Sequence, residues 1–181
     1  MKLDELKNTV VIPEGVSIII NGNTINAKGP HGEVSRKWNN PRIFVKVDGN
    51  NAVIIAKNAS KKEKRMLVTV KAHIKNMIDG VNKNNECKLK ICSSHFPMQV
   101  AMEGNTLVVK NFLGEKVARK TTLPKDVQVK IQGDKISLTG PDIETVGMSV
   151  SKIEQLCRIT NRDRRIFQDG IYLIEKNGRA L

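Results

Sequence analysis

The sequence predicts an α+β protein: two similar small domains from an internal duplication, each an antiparallel or mixed sheet packed on one helix. Three observations carry this prediction. Residues 12–33 (IPEGVSIIINGNTINAKGPHGE) recur without a gap at 123–144 (LPKDVQVKIQGDKISLTGPDIE), so that Pro13 answers Pro124, Gly22 answers Gly133 and Gly29-Pro30 answers Gly140-Pro141. Within each copy Val16/Ile18/Ile20 and Val127/Val129/Ile131 alternate with more polar residues. Asn21-Gly22-Asn23 and Gln132-Gly133-Asp134 then turn the chain into a second alternating run, Ile25/Ala27 and Ile136/Leu138, which is the pattern of a β-hairpin with one buried face. Such a hairpin is not stable alone, and two runs of helical period supply what it packs on.

In chain order, residues 31–38 and 43–48 read as strands separated by the turn Asn39-Asn40-Pro41, and Asp48-Gly49-Asn50-Asn51 turns into a strand at 53–56. Ser60-Lys61-Lys62-Glu63 has capping-box spacing and opens the first helix. Leu67, Val70, Ile74, Met77 and Ile78 lie on one of its faces, and Gly80 is expected to stop it. Residues 81–91 read as the strand that crosses into the second half, so the domains are expected at 1–81 and 82–181, the second with a basic C-terminal segment. Met98/Val100/Met102 and Leu107/Val109 form another alternating hairpin; 111–116 is a turn and 117–121 a strand. The second copy runs into a helix expected to start at Pro141, with Asp142 and Glu144 at its positive end and Ile143, Val146, Val150, Ile153 and Cys157 on one stripe. Gly147 in its middle costs roughly 1 kcal/mol relative to alanine, so packing must hold this helix. Extra strands thus follow the repeated hairpin in the first half and precede it in the second.

Thirty-one Lys+Arg against eighteen Asp+Glu give a net charge of +13, the balance of a protein whose partner is a polyanion. No stretch approaches the ~20 apolar residues needed to span a bilayer, and the first five residues lack the start of a secretory signal, so the cytosol or nucleus is expected. Three cysteines in such a chain argue for reduced thiols. With six aromatic residues, the composition suits phosphates and the shape of folded RNA better than base stacking.

Catalytic and metal constellations do not assemble in the pattern. Cys87, Cys92 and His95 lack the paired spacing of a structural zinc site, and a strand through 87–92 would point the two cysteines to opposite faces. Cys157 continues an apolar stripe, which favours packing over a nucleophile paired with His73 or His95. Gly29-Pro30-His31-Gly32 lacks the glycine-to-lysine spacing of a phosphate-gripping loop. No cofactor, metal or small-molecule substrate is implied.

The binding candidates are cationic. Arg158, Arg162, Arg164 and Arg165 form the densest guanidinium cluster, just past a helix end and before the strand-like Ile171-Tyr172-Leu173-Ile174, with Lys152, Tyr172 and Lys176 beside it in the chain. Lys61, Lys64 and Lys71, with Lys75, stripe the first helix.

Motifs in a fixed order then carry a family likeness: Ile12-Pro13-Glu14 with Val16, Lys28-Gly29-Pro30, Asn76-Met77-Ile78 with Gly80-Val81, His95-Phe96-Pro97, the run Asn111-Phe112-Leu113-Gly114-Glu115-Lys116, Gly140 with Asp142-Ile143-Glu144, and Asp169-Gly170-Ile171-Tyr172. In this order the chain resembles the large-subunit ribosomal protein six family, in its archaeal and eukaryotic branch, whose eukaryotic members were numbered nine in older naming. The resemblance implies two α+β domains without catalysis that dock on large-subunit rRNA among neighbouring ribosomal proteins. It places the C-terminal domain near the sarcin-ricin region, beside the translation factors. It further implies a cytoplasmic, ribosomal location, with nucleolar assembly in a eukaryote. Two positions depart from the family pattern: His31 stands where a basic residue is usual, and residues 82–86 replace a glycine and aromatics. The rival reading is a free-standing RNA-processing enzyme or its accessory RNA-binding subunit.

Overall fold

The computed structural model describes residues 3–38, 40–94 and 96–181. Its chain divides into two units, Met1–Asn84 and Asn85–Leu181. Unit 1 runs β1 (Leu3–Val11), β2 (Ser17–Asn21), β3 (Thr24–Gly29), β4 (Gly32–Lys37), β5 (Ile43–Asp48), β6 (Asn51–Ala59) and α1 (Lys61–Asn82). Unit 2 repeats that order with β7 (Asn85–Cys92), β8 (Gln99–Glu103), β9 (Thr106–Lys110), β10 (Arg119–Thr122), β11 (Gln128–Gln132), β12 (Lys135–Gly140) and α2 (Ile143–Leu156), then adds β13 (Gly170–Lys176) and β14 (Arg179–Ala180). The sheets are β1-β6-β5 and β2-β3-β4 in unit 1, and β8-β9-β10 and β11-β12-β7-β13-β14 in unit 2. All the pairings are antiparallel, so the mixed alternative falls away.

This order corrects the correspondence drawn from the gapless repeat. Counted along each unit, β2–β3 answers β8–β9, and β5–β6 answers β11–β12, so the two repeated hairpins occupy different places. Their internal register is nonetheless the same, Ser17 opposite Lys28 and Gln128 opposite Thr139. The reason is that each unit is itself built from two like halves, a single strand followed by a hairpin. The second strand of each hairpin pairs with the single strand of the other half: β6 with β1 and β3 with β4, β12 with β7 and β9 with β10. One hydrogen bond recurs in all four halves, from the end of the single strand to the hairpin turn beside it. These are Ile12 N–H to Asn50 O (2.8 Å), Trp38 to Asn23 (2.6 Å), Leu123 to Asn105 (2.8 Å) and Ile91 to Asp134 (2.7 Å). Each acceptor follows a turn glycine whose φ lies between 57° and 62°, a conformation glycine takes at no steric cost. The gapless repeat therefore matches the first half of unit 1 to the second half of unit 2. The expected difference in strand order between the domains disappears.

Each helix covers its own core. Leu67, Val70, Ile74, Met77 and Ile78 are buried under β1, β3 and β6, as their spacing requires. At roughly 1.5–3 kcal/mol for each fully buried large side chain, this face holds α1 more firmly than its intrinsic propensity does. Gly80 does not end the helix. It is buried with Val81, and the chain leaves α1 only at Lys83, whose backbone is extended. By their internal contacts the units divide after Asn84. Gly29 packs against that last turn, where a Cβ would come within 2.7 Å of the Val81 carbonyl oxygen. In unit 2, Val146, Val150 and Ile153 pack on β7, β12 and β13, but Pro141 lies outside the helix. The N-cap is Asp142, whose carboxylate accepts from the backbone N–H groups of Glu144 (3.1 Å) and Thr145 (3.2 Å) and so satisfies donors that proline would leave open.

Candidate nucleic-acid interface

The arginine-rich segment leaves α2 at Cys157 and re-enters the sheet at β13, and both of its ends are fixed by side chains. At the first end, Arg119 donates to the Leu156 carbonyl (2.7 Å) and to that of Arg158 (3.2 Å), so a cation neutralises the negative end of the helix. Arg119 is held in turn by Glu115 (2.6 and 2.8 Å) and by the Phe112 ring, 4.3 Å from its guanidinium. The hydrogen bond from Arg119 holds the Glu115 carboxyl below its ordinary range. Asn111, Leu113 and Gly114 have left-handed backbone, which turns Phe112 into the core. Asn111 donates to the Pro97 carbonyl (3.1 Å), and the Phe96 ring lies over Gly114. The two aromatic motifs of the sequence thus form one clamp; His95 lies outside the described residues. At the other end Asp169, buried to 1%, accepts from the Ser94 backbone N–H and from its hydroxyl (2.7 Å).

Between these ends the four arginines are not equivalent. Arg165 is paired with Asp163 (2.9 Å), which also accepts from the Arg165 backbone N–H (2.9 Å), so its charge is locally balanced. Arg162 lies over the Phe167 ring at 4.8 Å, and Phe167 packs on the core of unit 2. Arg158 and Arg164 line a cleft of about 290 Å³ together with Tyr172. Lys152 and Lys176 are exposed, on α2 and at the end of β13, and neither lines that cleft. Lys61, Lys64 and Lys71 belong to unit 1. With Lys62, Arg65 and Lys75 they give α1 a basic outer side, of which Lys71 is half-buried, and among the described residues none of these six is in an ion pair.

A second set of cations is legible only from the strand pairing. Because α2 covers Cys87, Leu89, Ile136, Leu138 and Ile171, the alternate residues of β7, β12 and β13 face outward. Lys135 is opposite Lys90, and Lys90 is opposite Tyr172, forming one row across three strands. The next row holds Lys130, Ser137 and Lys88, the last ion-paired with Glu175 at 3.0 Å. In sequence these are scattered lysines; only the register makes them neighbours. The departure at 82–86 is likewise resolved by contacts across the chain. Asn85 donates to the Pro141 carbonyl (3.0 Å) and accepts from Asn177 (3.0 Å), whose side-chain oxygen accepts from the Glu86 backbone N–H (2.9 Å).

Burial pushes the Cys157 thiol up to about 11 and raises that of Cys87 as well. Among the described residues no helix is long and apolar enough to cross a membrane.

A duplicated α+β chain that presents lysines and arginines from fixed strands, helix ends and clamped loops belongs to the class of proteins that bind a polyanion. The model of the family described as ribosomal protein L6 matches residues 12–84 and 96–170, once in each unit, and the chain belongs to that family. The two matches begin at 12 and at 96, in agreement with the correspondence taken along the chain rather than with the hairpin repeat. Large ribosomal subunit protein uL6 of Methanosarcina mazei is 43% identical over 95% of this chain and 98% of its own. The protein of that name from Methanobrevibacter smithii is 43% identical over 94% and 96%, and that of Haloarcula marismortui 42% over 93% and 95%. The family is one of structural proteins, and the chain is not an enzyme.

Proposed function

We propose that the chain is a structural constituent of the large ribosomal subunit and binds large-subunit rRNA, mainly through phosphate contacts from its fixed cations. What carries the reading is the match of both units to one ribosomal family, together with relatives named for the large subunit that share about two residues in five over nearly the whole chain. Arg158, Arg162 and Arg164, held by the Arg119 and Asp169 anchors, are the primary contacts; Lys152, Tyr172 and Lys176 lie around them, and Lys61, Lys64 and Lys71 make a separate contact from unit 1. Unit 2 faces the sarcin-ricin region, near the translation factors and among neighbouring ribosomal proteins, as the family likeness implies. The protein works on cytoplasmic ribosomes. The test is sedimentation of a cell extract: the chain should run with the large subunit at every growth stage and leave it only at high salt. A standing soluble pool would support the RNA-processing alternative instead.

A further inference from the structure

We propose that Tyr172 is a seat for one unstacked nucleobase of the bound RNA, flanked by cations that hold the phosphates on either side of that nucleotide. The inference rests on the RNA-binding reading above and adds one stacking contact to a composition that, with few aromatics, suits phosphates and the shape of folded RNA better than base stacking. Three of the described aromatic side chains stand out as exposed, Phe44, Phe96 and Tyr172; the Phe44 ring already carries the Lys57 ammonium at 5.7 Å, Phe96 packs on Gly114, and Tyr172 lies between two clefts that both carry cations.

Its position is built rather than incidental. Tyr172 sits on β13, which has no counterpart among the described residues of unit 1, and the added strand brings it opposite Lys90 on the outward face of the sheet. Its hydroxyl donates to the Gln168 carbonyl (3.1 Å), and its ring lies so close over Gly170 that a Cβ there would be 2.9 Å from the ring. The ring is therefore oriented before any ligand arrives, which lowers the entropy lost on stacking. Tyr172 also divides two openings. On one side a cleft of about 610 Å³ is lined by Lys90, Cys92, Ser94 and Gln168, and on the other the smaller cleft carries Arg158 and Arg164. The carboxylates nearby are already engaged: Asp169 with Ser94, Glu175 with Lys88, and Glu154 with the Leu173 backbone N–H (2.8 Å). An aromatic face between two cationic clefts suits an extruded nucleotide of folded RNA, its base on the ring and its neighbouring phosphates over Lys90 and over Arg158 and Arg164. A regular duplex offers no free base to the ring.

The test uses the full chain and three RNA hairpins of one sequence: one with a single bulged adenosine, one with an abasic ribose at the bulge, and one fully paired. Binding is measured at low salt for wild type, Tyr172→Phe and Tyr172→Leu, with circular dichroism as the check on folding. Wild type and Tyr172→Phe should prefer the bulged adenosine to the abasic bulge by about tenfold. Tyr172→Leu should bind all three hairpins with nearly equal, still salt-sensitive affinity. Equal wild-type affinity for the bulged and abasic hairpins would overturn the base seat while leaving RNA binding intact, as would a preference that survives in Tyr172→Leu. If wild type binds none of the three, the RNA-binding reading falls and the seat falls with it.

Discussion

Arg119 points its guanidinium at the Glu115 carboxylate and at two carbonyls of the α2 terminus, with the Phe112 ring against its face. Lysine keeps the charge but not the planar fork that serves these acceptors together. Arg119→Lys should therefore destabilise unit 2 by roughly 2 kcal/mol, the scale of hydrogen bonds to a charged group, and loosen the arginine segment that follows. Urea denaturation followed by circular dichroism would measure the first effect, and RNA affinity the second. Nothing in the sequence singled out Arg119, because its carbonyl acceptors lie far along the chain. Glu63 shows the opposite case, since the capping box made its role readable: it accepts from the Ser60 backbone N–H (3.0 Å) and hydroxyl, and from Arg42 (3.1 Å). The Ser60 hydrogen bonds hold its carboxyl at about 2, against an ordinary value of 4.5. A depressed acid contributes stability that is full above its unfolded pKa and is lost as pH falls through the folded one. The stability advantage of wild type over Glu63→Gln should thus shrink between about pH 5 and pH 2. Trp38, the single tryptophan, packs on the core of unit 1 and reports that unit separately. An advantage independent of pH across that window would show that Glu63 acts by packing alone.

At the scale of elements, the hairpins, both helical faces and the capping box of α1 were legible because each rests on local periodicity or spacing. What was not legible depends on pairing. β1 has too few apolar residues in its first half to stand out, and it exists because β6 pairs with it from Leu3 to Val11. The sequence repeat found two real hairpins but misplaced them, since a half-buried hairpin with a glycine turn is the common module of all four halves and carries no label for which half it came from. Gly80 read as a stop because glycine favours helix ends, yet packing of Val81 carries α1 past it. The arginine segment was visible as composition; the lysine row on the outer sheet was not, since only the register makes neighbours of Lys90 and Lys135. Gly147 gives a direct measure of how far packing overrides propensity. It lies inside α2 with open space where a Cβ would go, so Gly147→Ala should raise the stability of unit 2 by about 0.5–1 kcal/mol. Thermal unfolding gives the sign. Should the variant be more stable but bind RNA less well, the open space at Gly147 is a site of close approach by the RNA.

For the whole molecule, the question is which cations decide retention on the subunit. Both units are basic, but their cations are held differently. Those of α1 sit on long side chains, exposed except for the half-buried Lys71, that lose rotamer entropy on docking, whereas Arg162 is already stacked on Phe167, and Arg158 and Arg164 stand at a cleft whose backbone is pinned by Arg119 and Asp169. A pre-ordered guanidinium also meets phosphate through two parallel hydrogen bonds, which lysine cannot match. Replacing Arg158, Arg162 and Arg164 together by alanine should therefore weaken incorporation into the large subunit more than replacing Lys61, Lys64 and Lys71 together, although both variants lose the same formal charge. Arg165→Ala alone should have little effect, because Asp163 already balances that charge. The salt dependence of RNA binding adds a second readout, since removing the cation that neutralises one phosphate lowers the slope of log affinity against log salt by roughly 0.7–0.9. The arginine triple should lower the slope by about two or more, and Arg165→Ala by much less. The variant's share in purified subunits, with circular dichroism as the check on folding, decides the matter. If the arginine triple enters subunits as well as wild type while the lysine triple is excluded, retention belongs to α1 and the pinned segment of unit 2 has another task.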